Sequence, residues 1–134
     1  MKLRDVLLEK KPAILRKWFD AILETYPPDT SNFLKNQKNQ FANPVGATIS
    51  HELENIFNEL LQGLHQDNVS AFLDNIIRIR AVQDFIPSQS LSFIFSLKKI
   101  IREVIDKEIK ENQISDELFA FESLIDKLAL VSFD

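Results

Sequence analysis

Residues 87–110 read PSQSLSFIFSLKKIIREVIDKEIK, and the spacing of their apolar positions decides the fold. Pro87 lacks the backbone N–H that a first helical turn leaves unpaired anyway, so it suits a helix start. Leu91, Phe93, Ile94, Phe95, Leu97, Ile100, Ile101, Val104 and Ile105 then recur at steps of three and four and cover more than half the circumference. A helix apolar over that much of its surface packs on more than one side. The stretch is therefore expected to form the longest helix, over about 87–110, and to occupy the centre of an all-α bundle.

The rest of the chain repeats the helical period, and no run alternates strictly enough for a strand. Residues 3–9 form a short amphipathic start through Leu3, Val6 and Leu7. A helix following Pro12 places Leu15, Trp18, Phe19, Ile22, Leu23 and Tyr26 on one face, and Pro27-Pro28 ends it. Asp29-Thr30-Ser31 offers caps for a short helix holding Phe33, Leu34 and Phe41. Asn43-Pro44 is a cleaner start, with a capping amide followed by proline at the first helical position. Val45, Ile49, Leu53, Ile56, Phe57, Leu60, Leu61 and Leu64 follow on one stripe, with Gly63 near the end. Asp67-Asn68 opens a helix facing inward through Val69, Phe72, Leu73, Ile76 and Ile77. Ser115-Asp116-Glu117 opens the last, lined by Phe121, Leu124, Ile125, Leu128 and Val131. The pattern predicts one domain over 1–134, a bundle of five to seven helices. Its final apolar run, LALVSF, carries no stop signal, so either the helix packs to its last residue or the native protein continues beyond 134. The Leu124–Phe133 stripe is expected to meet a partner copy, as in a homodimer, or that continuation.

Composition narrows the function. The 134 residues include no cysteine, which excludes disulfides, thiolate metal sites and cysteine nucleophiles. No signal-type run and no stretch of roughly 20 apolar residues occurs, so no membrane span is expected and the cytoplasm is the expected location. The net charge of −4 is uneven. Residues 1–43 carry eight basic against five acidic groups, 44–84 two against six, and 85–134 six against nine. Nucleic-acid binders concentrate positive charge on one face, and this acidic body does not.

No nucleophile elbow, phosphate loop or catalytic carboxylate pair can be read, so no enzyme is expected. His51 falls on the solvent side of its helix and His65 at a helix end, and neither has a second ligand at metal spacing. Haem would need an axial ligand on a core-facing surface. With His51 outward and the initiator the sole methionine, no haem, metal or other cofactor is expected.

One cluster stands out. On a wheel centred on Val69, Leu73 and Ile76, Arg78 points to solvent, whereas Arg80, Gln83 and Asp84 fall within the apolar stripe. Arg80 and Asp84 are four apart and can meet. A charged pair on a buried face must be mutually satisfied or bound to something. The structural reading is an ion pair tying the helix end to its neighbour. The functional alternative is a small pocket in which Arg80, Gln83 and Asp84 bind an anion or polar ligand.

Several segments resemble a known family, the N-terminal domain of RsbRD, the RsbT co-antagonist of bacterial signalling. They are Lys11-Pro12-Ala13-Ile14-Leu15 with Trp18-Phe19, Glu24-Thr25-Tyr26-Pro27-Pro28-Asp29-Thr30, Phe41-Ala42-Asn43-Pro44-Val45-Gly46, and residues 77–89 (IRIRAVQDFIPSQ). The resemblance implies an all-helical, non-enzymatic sensory or regulatory domain acting through a protein partner. It also implies a fold similar to the haem-less globin-like domains of related co-antagonists. Some short relatives accompany dissimilatory sulfur metabolism, which makes a small-ligand-binding accessory protein the alternative function. Ile86 stands where the pattern has a Ser or Thr cap before Pro87.

If Arg80 and Asp84 form a buried pair, Asp84→Ala strands a guanidinium and costs about 3–5 kcal/mol. Arg78→Ala, at an exposed position, costs roughly 0.5 kcal/mol or less. Denaturant unfolding of both variants checks the contrast, and equal losses would show the helix phase to be misread.

Overall fold

The structure, a computed structural model, describes residues 2–36, 42–63, 66–82 and 87–131, with the side chains of 66–68, 79–82, 87–91 and 131 outside the description. Within those residues the chain forms seven helices and no strand: α1 (Leu3–Leu23), α2 (Pro28–Asn36), α3 (Pro44–Leu61), α4 (Gln66–Val82), α5 (Pro87–Val104), α6 (Asp106–Asn112) and α7 (Ser115–Val131). The all-α bundle expected from the sequence is the fold. None of the described helices is long and apolar enough to cross a membrane.

α5 is enclosed by α1, α4 and α7, as its wide apolar surface requires, and α3 shares the centre by lying against α1, α2, α4 and α7. Phe93, Ile94, Leu97, Ile100 and Ile101 of α5 are buried. They meet Ile14, Trp18 and Ile22 from α1 and Leu118, Phe121, Ile125 and Leu128 from α7 in one apolar cluster. Trp18 is fully buried, and its indole N–H donates to the Phe93 carbonyl at 2.7 Å. The two rings lie 6.1 Å apart, tilted by 33°.

Two boundaries differ from the sequence reading. The helix expected over 87–110 ends at Val104, because Ile105 adopts φ −108°, ψ 15° and the chain restarts as α6. Ile105 is fully buried while α6 buries no residue, so the chain must turn outward after it. Backbone hydrogen bonds from Ile105 N to Ile101 O and from Ile109 N to Ile105 O continue across the bend. The longest described helix is instead α1, of 21 residues, which absorbs both the short start and the segment after Pro12. Proline usually breaks a helix by removing one N–H and crowding the carbonyl four residues back. Here Pro12 and Leu8 are both exposed, so water can reach the carbonyl that Pro12 leaves unpaired.

The helix ends are tied by specific groups. Asn43 caps α3, its Oδ1 accepting from Gly46 N at 2.9 Å while its Nδ2 donates to Leu34 O at 3.0 Å, which also fixes the end of α2. Lys2 gives α1 no side-chain cap, and Glu117 Oε2 of α7 accepts from Leu3 N instead, at 2.8 Å. Gly63 (φ 99°) and Gln113 (φ 53°) adopt left-handed conformations just beyond α3 and α6.

A Cβ at Gly46 would overlap the Asn43 carboxamide and displace the cap. Gly46→Ala is therefore expected to cost about 1–2 kcal/mol, the worth of a good N-cap. Gln113→Gly should gain up to about 1 kcal/mol by relieving a left-handed non-glycine residue. Thermal or urea unfolding reads both, and an unchanged Gly46→Ala midpoint would show that the cap contributes little.

Candidate protein-interaction face

Phe95 on α5, 52% exposed, and Phe119 and Leu130 on α7, 71% and 70% exposed, stand outside the core on one side of the bundle. Eleven residues separate the two α7 positions, close to three whole turns, so they lie on one line along the helix. Asp126 falls on that line and Ser123 beside it. Leu8 and Phe33 are also exposed, but singly, on α1 and α2.

The pairing of α5 with α7 is fixed by two polar links. Lys98 Nζ lies 2.9 Å from Asp126 Oδ1. Arg102 grips Glu122 with both arms, Nε to Oε2 at 2.8 Å and Nη2 to Oε1 at 2.7 Å. The helices are thus antiparallel, and one turn beyond Lys98 the register brings Phe95 level with Ala129, beside Leu130. The face combines these apolar side chains with Lys98, Lys99 and Arg102 from α5 and Asp126 from α7, while the Glu122 carboxylate lies buried in the seam, held by Arg102. The Glu122 hydrogen bonds, and after them its charge, raise the Arg102 pKa above the ordinary arginine value, against a small desolvation effect. A raised cation pKa stabilises the fold below the unfolded-state value and is lost only as pH climbs through the folded one. This guanidinium therefore stays charged through the neutral and mildly alkaline range.

The residues singled out by sequence fare unequally. Arg78 is exposed and pairs with Asp74 at 2.8 Å on the solvent side, as the wheel requires. Arg80 belongs to α4, but its side chain lies outside the described residues, as do Gln83, Asp84 and His65 entirely. His51 is exposed, with Nε2 4.0 Å from Glu52 Oε1. Glu52 itself is buried, held by the Asn55 and Asn75 carboxamides at 2.8 and 2.5 Å, a polar tie between α3 and α4. The expectation that the Leu124–Phe133 stripe awaits a partner or a continuation is corrected for its first part: Ile125, Leu128 and Ala129 are buried and Leu124 half-buried within the chain's own core, whereas Leu130 is exposed and residues 132–134 lie outside the described residues.

The described grooves are open to solvent. One of about 380 Å³ between α1 and α5 is lined by Lys17, Asp20, Glu24, Lys99 and Glu103. Another of about 310 Å³ lies where Leu3 and Leu7 meet Leu60, Phe121 and Leu124. Both sit at the small end of the range for ligand pockets. Among the described residues no three His, Asp or Glu side chains converge to hold a metal.

The family model of the RsbT co-antagonist protein rsbRD N-terminal domain matches residues 12–134. The chain belongs to this family. No curated protein and no solved structure matches it. The rsbRD N-terminal domains are regulatory signalling domains. Several residues that carry the likeness are architectural in this one: Trp18 joins α1 to α5, and Asn43 with Gly46 starts α3. Of Phe95, Phe119 and Leu130, the sequence reading counted Phe95 with the apolar positions of the long helix and Leu130 within the unstopped final run, and passed over Phe119. The available signal was their phase, since Phe95 shares a helix side with Arg102, and Phe119 with Asp126.

The Arg102–Glu122 pair is lopsided, with the arginine side chain 56% exposed and the glutamate 11%. Arg102→Ala, which leaves a buried carboxylate without its partner, is expected to cost about 1–3 kcal/mol. Glu122→Gln leaves an exposed cation and should cost less, about 1 kcal/mol or below. Urea unfolding of the two variants distinguishes them, and the reverse order would overturn the assignment.

Proposed function

We propose that this rsbRD N-terminal domain is a non-enzymatic sensory or regulatory module of bacterial signalling that acts by binding another protein chain. The observation that carries the reading is the outer face of α5 and α7, where Phe95, Phe119 and Leu130 are each more than half exposed beside ordered ion pairs. Large apolar side chains gathered on one face and rimmed by polar groups mark association surfaces, and aromatic residues are enriched among binding anchors. Family membership supports a regulatory role. The open grooves give no comparable support to a small-ligand accessory function, which rests on Arg80, Gln83 and Asp84.

The test compares the wild-type chain with a Phe119→Asp/Leu130→Asp variant and with Arg78→Ala. Each is used to capture proteins from extract of the source cells, and any protein retained is purified and titrated calorimetrically. A partner that binds wild type and Arg78→Ala alike, with affinity weakened at least about tenfold by the double variant, is the expected result. A partner bound equally by all three would move the function off this face.

A further inference from the structure

We propose that the groove where α1, α3 and α7 converge binds a small amphipathic carboxylate, its alkyl chain against Leu3, Leu7, Leu60, Leu61, Phe121 and Leu124 and its head group at Lys2 and Arg4. The site supplies a sensory domain with an input. It goes beyond the partner-binding face of α5 and α7, which uses other residues, and neither reading depends on the other.

The groove follows from where the three helices begin and end. Leu3 and Leu7 lie one turn apart on α1, and Glu117, Phe121 and Leu124 follow at steps of four and three on one side of α7. Leu60 and Leu61 reach in from the last turn of α3. Gly63, at φ 99° just beyond that helix, lines the mouth without a side chain to cover it, and a Cβ placed there would meet nothing within 4 Å. Leu3, Leu7, Leu60 and Phe121 are buried and make a core-like floor, with half-buried Leu61 and Leu124 as walls. The space is about 310 Å³ and open to solvent on one side. That suits a small molecule, since a single helical turn with its side chains already needs more.

Charge sits at one end of this apolar surface, where Lys2 and Arg4 flank Leu3. Lys2 is exposed and forms no ion pair among the described residues. Arg4 uses one N–H on the Leu61 carbonyl at 3.3 Å and keeps its other donors exposed. Glu117 is the one acid in the lining, and its Oε2 already accepts from Leu3 N. Asp5 falls about 200° around α1 from Leu3, on the far side of the helix. Two cations therefore stand beside one engaged carboxylate at the head of an apolar groove. An inorganic anion would leave the leucines wet, and a neutral hydrocarbon would leave the cations without counter-charge. A free carboxylate with an alkyl tail satisfies both.

Calorimetric titration of the full chain with hexanoate, octanoate and decanoate tests the site. Decanoate is expected to bind saturably, one molecule per chain, with affinity rising about two- to fourfold per methylene across the series. Lys2→Glu/Arg4→Glu should weaken octanoate about tenfold and leave 1-octanol within about twofold of wild type. Leu61→Trp, which fills the groove, should abolish binding of both. Thermal unfolding checks that each variant is folded, and Lys2→Ala/Arg4→Ala replaces the charge reversal if that variant is not. Absence of saturable decanoate binding, or binding that Leu61→Trp leaves unchanged, would overturn the groove. Equal losses of octanoate and 1-octanol in the charge variant would overturn the head-group assignment. Co-sedimentation with phosphatidylglycerol vesicles that requires Lys2 and Arg4 would overturn the free carboxylate in favour of a lipid surface. The Phe119 and Leu130 variants test the partner-binding face separately, so failure of one reading is distinguishable from failure of the other.

Discussion

The indole N–H of Trp18 lies where no water can reach it, and the rest of the bundle is arranged around the single acceptor it finds. An unpaired donor in an apolar core costs on the order of 1–3 kcal/mol, so α1 and α5 must approach closely enough for the Phe93 carbonyl to receive it. That contact sets both the rotation and the height of α5 against α1. Once they are set, the buried side of α5 faces α7 as well, and the charged residues Lys98 and Arg102 fall along the α5–α7 seam. The outer face exists because the inner one is fixed.

Elements with strong local chemistry were legible in the sequence. Asn43-Pro44 starts α3, Pro87 starts α5 and Ser115 starts α7, each where a cap residue or proline leaves the backbone few alternatives. The bend at Ile105 was not legible, because no glycine or proline marks it. It follows from tertiary packing, which holds Ile105 inside while α6 stays out. Pro12 misled in the opposite direction: a residue that breaks helices by rule is accommodated when the affected turn is solvated. The cap of α1 was equally hidden, since its acceptor, Glu117, comes from the last helix, 114 positions away in the chain.

The candidate surface was harder to read than the fold for a physical reason. Burial writes a period into the sequence, whereas association leaves a few apolar residues on the polar side of a helix, where they look like errors in that period. Phe95 was therefore counted with the core of α5, and Phe119 passed without comment. Conversely, the stripe of Leu124, Ile125 and Leu128 suggested an unmet partner and proved to be ordinary core. Arg80, Gln83 and Asp84 stand apart from this comparison, because their side chains fall outside the described residues.

The hydrogen bond from Leu3 N to Glu117 joins the first turn of the first long helix to the first turn of the last. Neither terminus of α1 or α7 can fray alone without giving up a bond that also stabilises the other. An event that tugs on α7 is thus felt at the opposite end of the sequence through one carboxylate. Amide exchange at the start of α1 is a remote gauge of how firmly α7 is seated.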